Sequence, residues 1–102
     1  MQSIIEQHRE QVAAACKRAG ARRLYVFGSA LRSDFDEASS DLDFLVELDE
    51  MPPSKYADAY FSLKEKLEAL FGRRVDLVTE SNLGNPYFRK RILAERQAVY
   101  AR

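Results

Sequence analysis

The chain has 102 residues, enough for one modest hydrophobic core and too few for two, so we expect a single domain over residues 1–102. Hydrophobic residues make up 46% and charged residues 31% of the sequence, which is typical of a soluble globular protein. Lysine plus arginine and aspartate plus glutamate number 16 each, so net charge favours neither nucleic acid nor membrane as a partner. No apolar run has the length of a membrane span and no signal-peptide core is present, which predicts a cytoplasmic protein.

The first predicted element is an amphipathic helix from Ser3 to Ala19, because apolar residues recur there at helical spacing. Gly20 follows as the residue that ends the helix in the left-handed conformation. Two side chains of this helix receive a structural interpretation. Cys16 lies on the apolar stripe as a buried thiol, and His8, the only histidine, has no second histidine with which to share a metal ion.

Two apolar strands around a polar connection form the centre of the predicted fold. Residues 24–27 are predicted as a buried strand that ends at Gly28-Ser29. A short helical turn at 30–32 and an acidic loop over 33–40 follow. The second strand runs over residues 41–48, and because it is apolar on both faces beyond its first residues, we expect it in the centre of a covered sheet.

The second half of the chain begins with the clearest amphipathic helix. Pro52-Pro53 ends the preceding strand, Ser54 is the predicted N-cap, and Gly72 closes the helix. Its apolar residues recur at alternating steps of four and three, which is one face of a helix. They are Tyr56, Tyr60, Leu63, Leu67 and Leu70.

A third strand and a final helix complete the predicted order of elements. The strand covers residues 74–79, and the helix begins with Asn85 as N-cap and Pro86 at the first helical position, then extends to about Ala98. This order, αβ(α)βαβα, predicts an α/β (α+β) fold in which helices flank a small mixed or parallel sheet. The final helix is expected to contribute Phe88, Ile92 and Val99 to the core.

Three aspartates carry the functional argument. Asp41 and Asp43 open the second strand on one face, and two carboxylates so close disfavour each other's ionisation unless a cation relieves the repulsion. Asp76 stands among apolar neighbours in the third strand, where a lone buried carboxylate needs compensation. Either an ion pair with Arg73, Arg74 or a loop lysine provides it, or the three acids converge. Three strands in a small sheet must be neighbours or nearly so, which favours convergence.

Three converging carboxylates beside a Gly-Ser turn suit nucleotidyl transfer. Magnesium prefers hard oxygen ligands and phosphates, so Asp41, Asp43 and Asp76 together would hold two Mg²⁺ ions that align and neutralise a triphosphate. Asp76 could also accept the proton of the attacking hydroxyl. The alternative is a purely structural cluster of acids.

The phosphates of the nucleotide are expected on the Gly-Ser side. Backbone amides at this turn can bind phosphate oxygens, and glycine allows the backbone to approach them closely. An arginine one helical turn further along can add a forked contact to the phosphates. The predicted nucleotide-binding residues are Gly28, Ser29 and Arg32.

At these residues the sequence resembles the minimal nucleotidyltransferases (MNT), which are small members of the DNA polymerase β-like nucleotidyltransferase superfamily. The resemblance spans about residues 24–100. It implies a polymerase β palm-like mixed sheet with flanking helices, a metal-binding triad of Asp41, Asp43 and Asp76, and a triphosphate on Gly28-Ser29. Eleven residues separate Ser29 from Asp41, one more than is usual in the family, which predicts a bulge at 36–39. The matching motifs are Phe27-Gly28-Ser29, Arg32, residues 40–46, residues 75–78 and residues 85–88.

The resemblance also implies a biological context. Many such proteins are antitoxins encoded beside an all-helical HEPN ribonuclease toxin, which they silence by transferring AMP from ATP to a toxin tyrosine. A chain this short has no room for the fingers or RNA-binding domain of a polymerase, so nucleic acid is not expected as its direct substrate. The alternative function is a non-catalytic nucleotidyltransferase-like antitoxin that neutralises its partner by contact. Base preference, acceptor hydroxyl and oligomeric state, a homo-oligomer included, stay open.

Overall fold

The computed structural model describes residues 3–28 and 41–102. The turn and loop predicted over residues 30–40 lie outside the described residues. Four helices, four strands and one 3₁₀ turn follow one another in the described part of the chain. They are α1 Ser3–Gln7, α2 Arg9–Ala19, β1 Ala21–Phe27, β2 Leu42–Leu48, α3 Pro53–Phe71, β3 Val75–Thr79, the 3₁₀ turn Glu80–Asn82, α4 Pro86–Glu95 and β4 Gln97–Ala101.

The four strands form one mixed sheet in the order β3-β2-β1-β4. β1 pairs antiparallel with both β2 and β4, whereas β2 and β3 run parallel. Parallel neighbours need a crossover connection, and α3 provides it. The mixed sheet with flanking helices and the central place of β2 are confirmed.

Helices cover both faces of this sheet. Alternate side chains of the strands, among them Leu24, Phe44 and Leu77, enter the larger core cluster with residues of α1, α2 and α3. The opposite face contributes Phe27 and Leu45 to a smaller cluster that α4 covers. Each fully buried side chain of this size contributes roughly 1.5–3 kcal/mol to folding, so the two clusters hold the sheet between its helices.

The end of the chain differs from the sequence prediction. α4 stops at Glu95 instead of continuing to about Ala98, because Arg96 adopts an extended backbone and its side chain stacks on the ring of Tyr25 at 4.1 Å. The next five residues form β4 and fill the free edge of β1. Val99 is buried as predicted, but from a strand rather than a helix. Pairing with β1 outweighs the weak helical pattern of this segment.

The N-terminal segment is helical as predicted but is interrupted at His8, which separates α1 from α2. The His8 ring packs against Phe71 with a centroid distance of 5.1 Å, and its Nδ1 lies 2.9 Å from the carbonyl oxygen of Ile4. Cys16 is fully buried, and burial raises the pKa of its thiol to about 12. The structural interpretation of both side chains is therefore confirmed.

The start of α3 corrects a second detail. Ser54 is not the N-cap, because Pro52 occupies that position and Pro53 begins the helix without a side-chain cap. Proline is favoured at the first helical position, where its missing N–H has no partner to lose. Asn85 does cap α4 as predicted, and its side-chain oxygen accepts hydrogen bonds from the N–H groups of Tyr87 and Phe88. None of the described helices combines the length and apolarity that a bilayer crossing requires.

A charged contact joins the ends of three strands. The Arg102 guanidinium donates two hydrogen bonds to the Asp49 carboxylate, at 2.6 and 2.8 Å, and Arg22 lies 3.9 Å from the same group. The N–H of Asp49 also donates to the carbonyl of Gly20. The hydrogen bonds from Arg102 lower the pKa of Asp49, because they favour its charged form.

This contact predicts an acid-sensitive part of the stability. The folded pKa of Asp49 lies below its unfolded value, so its contribution is complete above the unfolded value and is lost as pH falls through the folded one. We expect Asp49→Asn to have a lower Tm than the wild type at neutral pH, and the difference to shrink towards about pH 2. Thermal unfolding at several pH values measures it. Glu50→Gln, at the exposed neighbouring position, is the matched control, and a constant difference for Asp49→Asn would contradict the assignment.

Candidate active site

Asp43 and Asp76 are neighbours in the sheet. The parallel register of β2 and β3 pairs these two residues directly. Adjacent strands lie about 4.8 Å apart, so the two side chains leave the same face of the sheet side by side. Strand alternation turns the flanking residues Leu42, Phe44 and Leu77 to the opposite face, into the larger core cluster. The fold thus brings these two acids together on the face that α4 covers.

Gly28 follows β1 and lies against Asp43. Its backbone has φ of +73°, in the left-handed region that side chains disfavour. A Cβ at this position would lie 2.4 Å from Oδ2 of Asp43, closer than real Cβ atoms come to any neighbour. Close approach of a phosphate is the first reason for glycine at this position. The structure adds a second reason, because the carboxylate of Asp43 already occupies the space that a side chain would need.

A cavity of about 340 Å³ opens over these residues. The end of β1 and the two aspartates form its floor, and one face of α4 forms its wall. Ile92 anchors this wall because it is buried in the smaller cluster with Phe27 and Leu45. The lining residues are Phe27, Gly28, Asp43, Asp76, Phe88, Arg91, Ile92 and Glu95.

The α4 wall was not predicted as part of the site. Phe88 was assigned to the core, but it is 45% exposed and lines the cavity. Arg91 and Glu95 form an ion pair of 3.2 Å on the same wall. The signal in the sequence was the helical spacing of Phe88, Arg91, Ile92 and Glu95, which places them on one face of α4. Without the position of α4 over the sheet, that face could not be assigned to the acids.

Asp41 lies just before β2 with an exposed side chain and does not line this cavity. Within residues 3–28 and 41–102, no three acidic, histidine or cysteine side chains form a group that could hold a metal ion. Carboxylates repel one another, so a close trio of aspartates requires a cation to hold it together. Ser29 and Arg32 lie outside the described residues. Of the three predicted phosphate-binding residues, the structure therefore describes Gly28.

Asp76 is exposed on the edge strand β3, whereas the sequence argument assumed that it is buried among apolar neighbours. The ion pairs of the described residues do not include one from Asp76 to Arg73 or Arg74. The negative charge of Asp76 nevertheless acts on a neighbouring residue. The pKa of Tyr60 is raised chiefly by burial and, as the next cause, by the charge of Asp76. Asp76 is therefore a solvent-accessible carboxylate beside Asp43.

The charges of the cavity point to a cation and an anionic ligand together. Asp43, Asp76 and Glu95 line it as acids, and Arg91 is the one basic residue among the described lining residues. A larger cavity of about 510 Å³ lies between α2 and α3, but it is lined mostly by alanine, leucine and scattered polar residues without converging acids. The smaller cavity is therefore the candidate active site.

Comparison with known proteins agrees with this geometry. The nucleotidyltransferase domain family matches residues 8–99 of the chain. The protein adenylyltransferase MntA of Thermococcus cleftensis is 40% identical over 83 residues, which cover 81% of this chain and 77% of that protein. A protein of Methanocaldococcus jannaschii that is assigned as a protein adenylyltransferase is 32% identical over 100 residues, covering 98% and 93% of the two chains.

Solved structures show the same fold. One assigned as a minimal nucleotidyltransferase has a TM-score of 0.66 and 39% identity, and the match covers 90% of this chain and 89% of the other. A tri-AMPylated HEPN toxin of Shewanella oneidensis in complex with an MNT antitoxin matches with a TM-score of 0.63, 16% identity and coverage of 96% and 73%. The chain therefore belongs to the nucleotidyltransferase domain family, among the minimal nucleotidyltransferases related to the MntA protein adenylyltransferases.

Proposed function

We propose that the chain is an antitoxin that transfers AMP from ATP to a tyrosine hydroxyl of a HEPN toxin. The observation that carries this proposal is the pairing of Asp43 with Asp76 beside Gly28, in a chain 40% identical to a protein adenylyltransferase. The solved complexes with a HEPN toxin, one of them AMPylated, support the choice of partner. The structure solved with AMP-PNP supports a nucleoside triphosphate as the donor.

The donor set fits magnesium. Two carboxylates on adjacent strands, one half-buried and one exposed, offer hard oxygen ligands next to a glycine that leaves room for phosphate. Asp41, Asp43 and Asp76 would hold Mg²⁺, with two ions as the expected number. When bound, the ions neutralise the triphosphate and lower the pKa of the attacking hydroxyl.

The transfer itself uses residues of this chain to accept a proton and to bind the phosphates. The tyrosine oxygen attacks the α-phosphorus of ATP, an oxygen–phosphorus bond forms, and the bond to pyrophosphate breaks. Asp76 accepts the tyrosine proton, because it is exposed and lines the cavity beside Asp43, where an acceptor can reach it from solvent. Gly28, Ser29 and Arg32 bind the phosphates, and pyrophosphate leaves with both electrons of the broken bond. Phosphoryl-group transfer depends on positioning and charge neutralisation, which these residues supply.

The first prediction concerns the acids. We expect Asp41→Asn/Asp43→Asn to lower AMP transfer by at least about 100-fold, because the cation loses its ligands. Mass spectrometry of a HEPN protein encoded beside this chain, incubated with ATP and Mg²⁺, measures the adduct of about 330 Da per AMP. As a control, Asp58→Asn neutralises a carboxylate on the exposed surface of α3 and should leave transfer unchanged.

One outcome would contradict the role of the acids, and another would contradict neutralisation by AMP transfer. AMP transfer that persists in the double variant would remove the aspartates from the mechanism. Full neutralisation of the toxin by a double variant that forms no adduct would instead support the non-catalytic antitoxin that acts by contact.

The second prediction separates close contact from backbone strain at Gly28. Gly28→Ala should abolish most AMP transfer, because its Cβ would displace the Asp43 carboxylate. Gly72→Ala is the matched control, since Gly72 also has a positive φ but a Cβ there would meet open space. Both variants should lose about 1–2 kcal/mol of stability from the left-handed backbone. Thermal unfolding and the transfer assay measure the two effects, and equal activity of the two variants would contradict the role of Gly28.

A further inference from the structure

The backbone N–H and C=O groups of the residues on either side of Asp76 point away from the neighbouring strand β2. β3 is an edge strand that pairs only with β2 among the described strands. The N–H of Leu42 donates to the carbonyl of Arg74 at 3.1 Å, so the polar groups of Arg74 face β2. Backbone direction alternates along a strand, and Val75 and Leu77 therefore present their N–H and C=O groups to the free edge.

Two side chains of α3 bind these edge groups. An oxygen of the Glu68 carboxylate accepts a hydrogen bond of 3.1 Å from the N–H of Val75. The Tyr60 hydroxyl donates a hydrogen bond to the carbonyl of Leu77. The two contacts lie immediately before and after Asp76, so α3 holds the backbone of this residue from both sides.

The Tyr60 hydroxyl is suited to its role as a donor. Burial chiefly, and the negative charge of Asp76 next, raise the pKa of the Tyr60 hydroxyl, which keeps its proton available for donation at neutral pH. Glu68 acts as the acceptor in its contact with the N–H of Val75. The Tyr60 ring lies nearly perpendicular to the ring of Phe61, with a centroid distance of 5.1 Å.

Asp76 depends on such support more than Asp43 does. Asp43 lies on a strand that has hydrogen-bonded neighbours on both sides, whereas the strand of Asp76 has a neighbour on one side only. A shift of about 1 Å in a reacting group can lower a rate by about 100-fold. The backbone around Asp76 is thus held by β2 on one side and by α3 on the other.

We propose that Tyr60 and Glu68 are positioning residues for Asp76, which they align beside Asp43 by binding the free backbone edge of β3. This inference rests on the proposed function, because it assigns to Asp76 a part in the transfer of AMP. Neither residue lines the cavity, so each acts through the strand and not on the substrate.

The test compares variants that keep or remove the two edge contacts. Tyr60→Phe keeps the ring and removes the donor, Glu68→Ala removes the acceptor, and Glu68→Gln retains an acceptor oxygen. Tyr56→Phe is the matched control, because Tyr56 is another half-buried tyrosine of α3 packed against the core. Tyr60→Phe and Glu68→Ala should lower kcat about tenfold with the KM for ATP changed less than about twofold. Glu68→Gln and Tyr56→Phe should resemble the wild type.

A second measurement does not depend on turnover. Mn²⁺ binding in the presence of α,β-methylene-ATP, whose bridging carbon resists cleavage at the α-phosphate, is followed by calorimetry. We expect Tyr60→Phe and Glu68→Ala to weaken Mn²⁺ binding about threefold to tenfold, because Asp76 is a ligand that has lost its alignment.

The outcomes distinguish this inference from the proposed function. If the wild type transfers no AMP, the proposed function fails. If the wild type is active and Tyr60→Phe matches Tyr56→Phe in kcat and Mn²⁺ binding, the positioning role is overturned while the function stands. A lower Tm with unchanged kcat and Mn²⁺ binding would likewise overturn it, as a purely structural contact. Should Glu68→Ala fail to fold, Tyr60→Phe decides the question, because it preserves the packing of the ring.

Discussion

The parallel pairing of β2 with β3 is the constraint on which the rest of the site depends. It sets Asp43 against Asp76 in register, and a slip by one residue would turn one of these carboxylates into the core. The residue that follows each acid in the sequence prevents that slip, because Phe44 and Leu77 are held in the larger cluster on the opposite face of the sheet. The same pattern that buries the core therefore places the two acids on the opposite face.

This arrangement sets two carboxylates side by side, and their mutual repulsion is a cost that a bound cation lowers. Water screens the charge of Asp76, which is exposed. The absence of a side chain at Gly28 leaves room for the carboxylate of Asp43. Stability and function conflict at this point, since a pair of apolar residues would pack better on α4. Functional sites commonly retain such locally unfavourable features.

The parts of the fold that follow from local pattern were predictable. The long helix with its terminal Gly72, the cap at Asn85 and the central strand of the sheet each carry a strong signal in a few neighbouring residues. β4 was missed because its strand state depends on pairing with β1, some 70 residues away in the sequence, and not on its own composition. The cavity wall that α4 forms was missed for the same reason, because it too depends on contacts between distant parts of the sequence. The sequence indicated that the strands of Asp43 and Asp76 are neighbours, because a small sheet has few strands. Which residues pair across the two strands could be read only from the structure.

The pairing of β1 with β4 also bears on synthesis of the protein. Leu24 lies opposite Tyr100 in the sheet, so β1 leaves the ribosome well before β4, the strand that fills its second edge. Contacts of this sequence separation form late and slow folding, and until they form β1 exposes unpaired backbone. A nascent chain thus acquires a finished sheet, with α4 closed over the two acids, only after translation has passed residue 101. Competence for chemistry is in this way tied to the synthesis of β4.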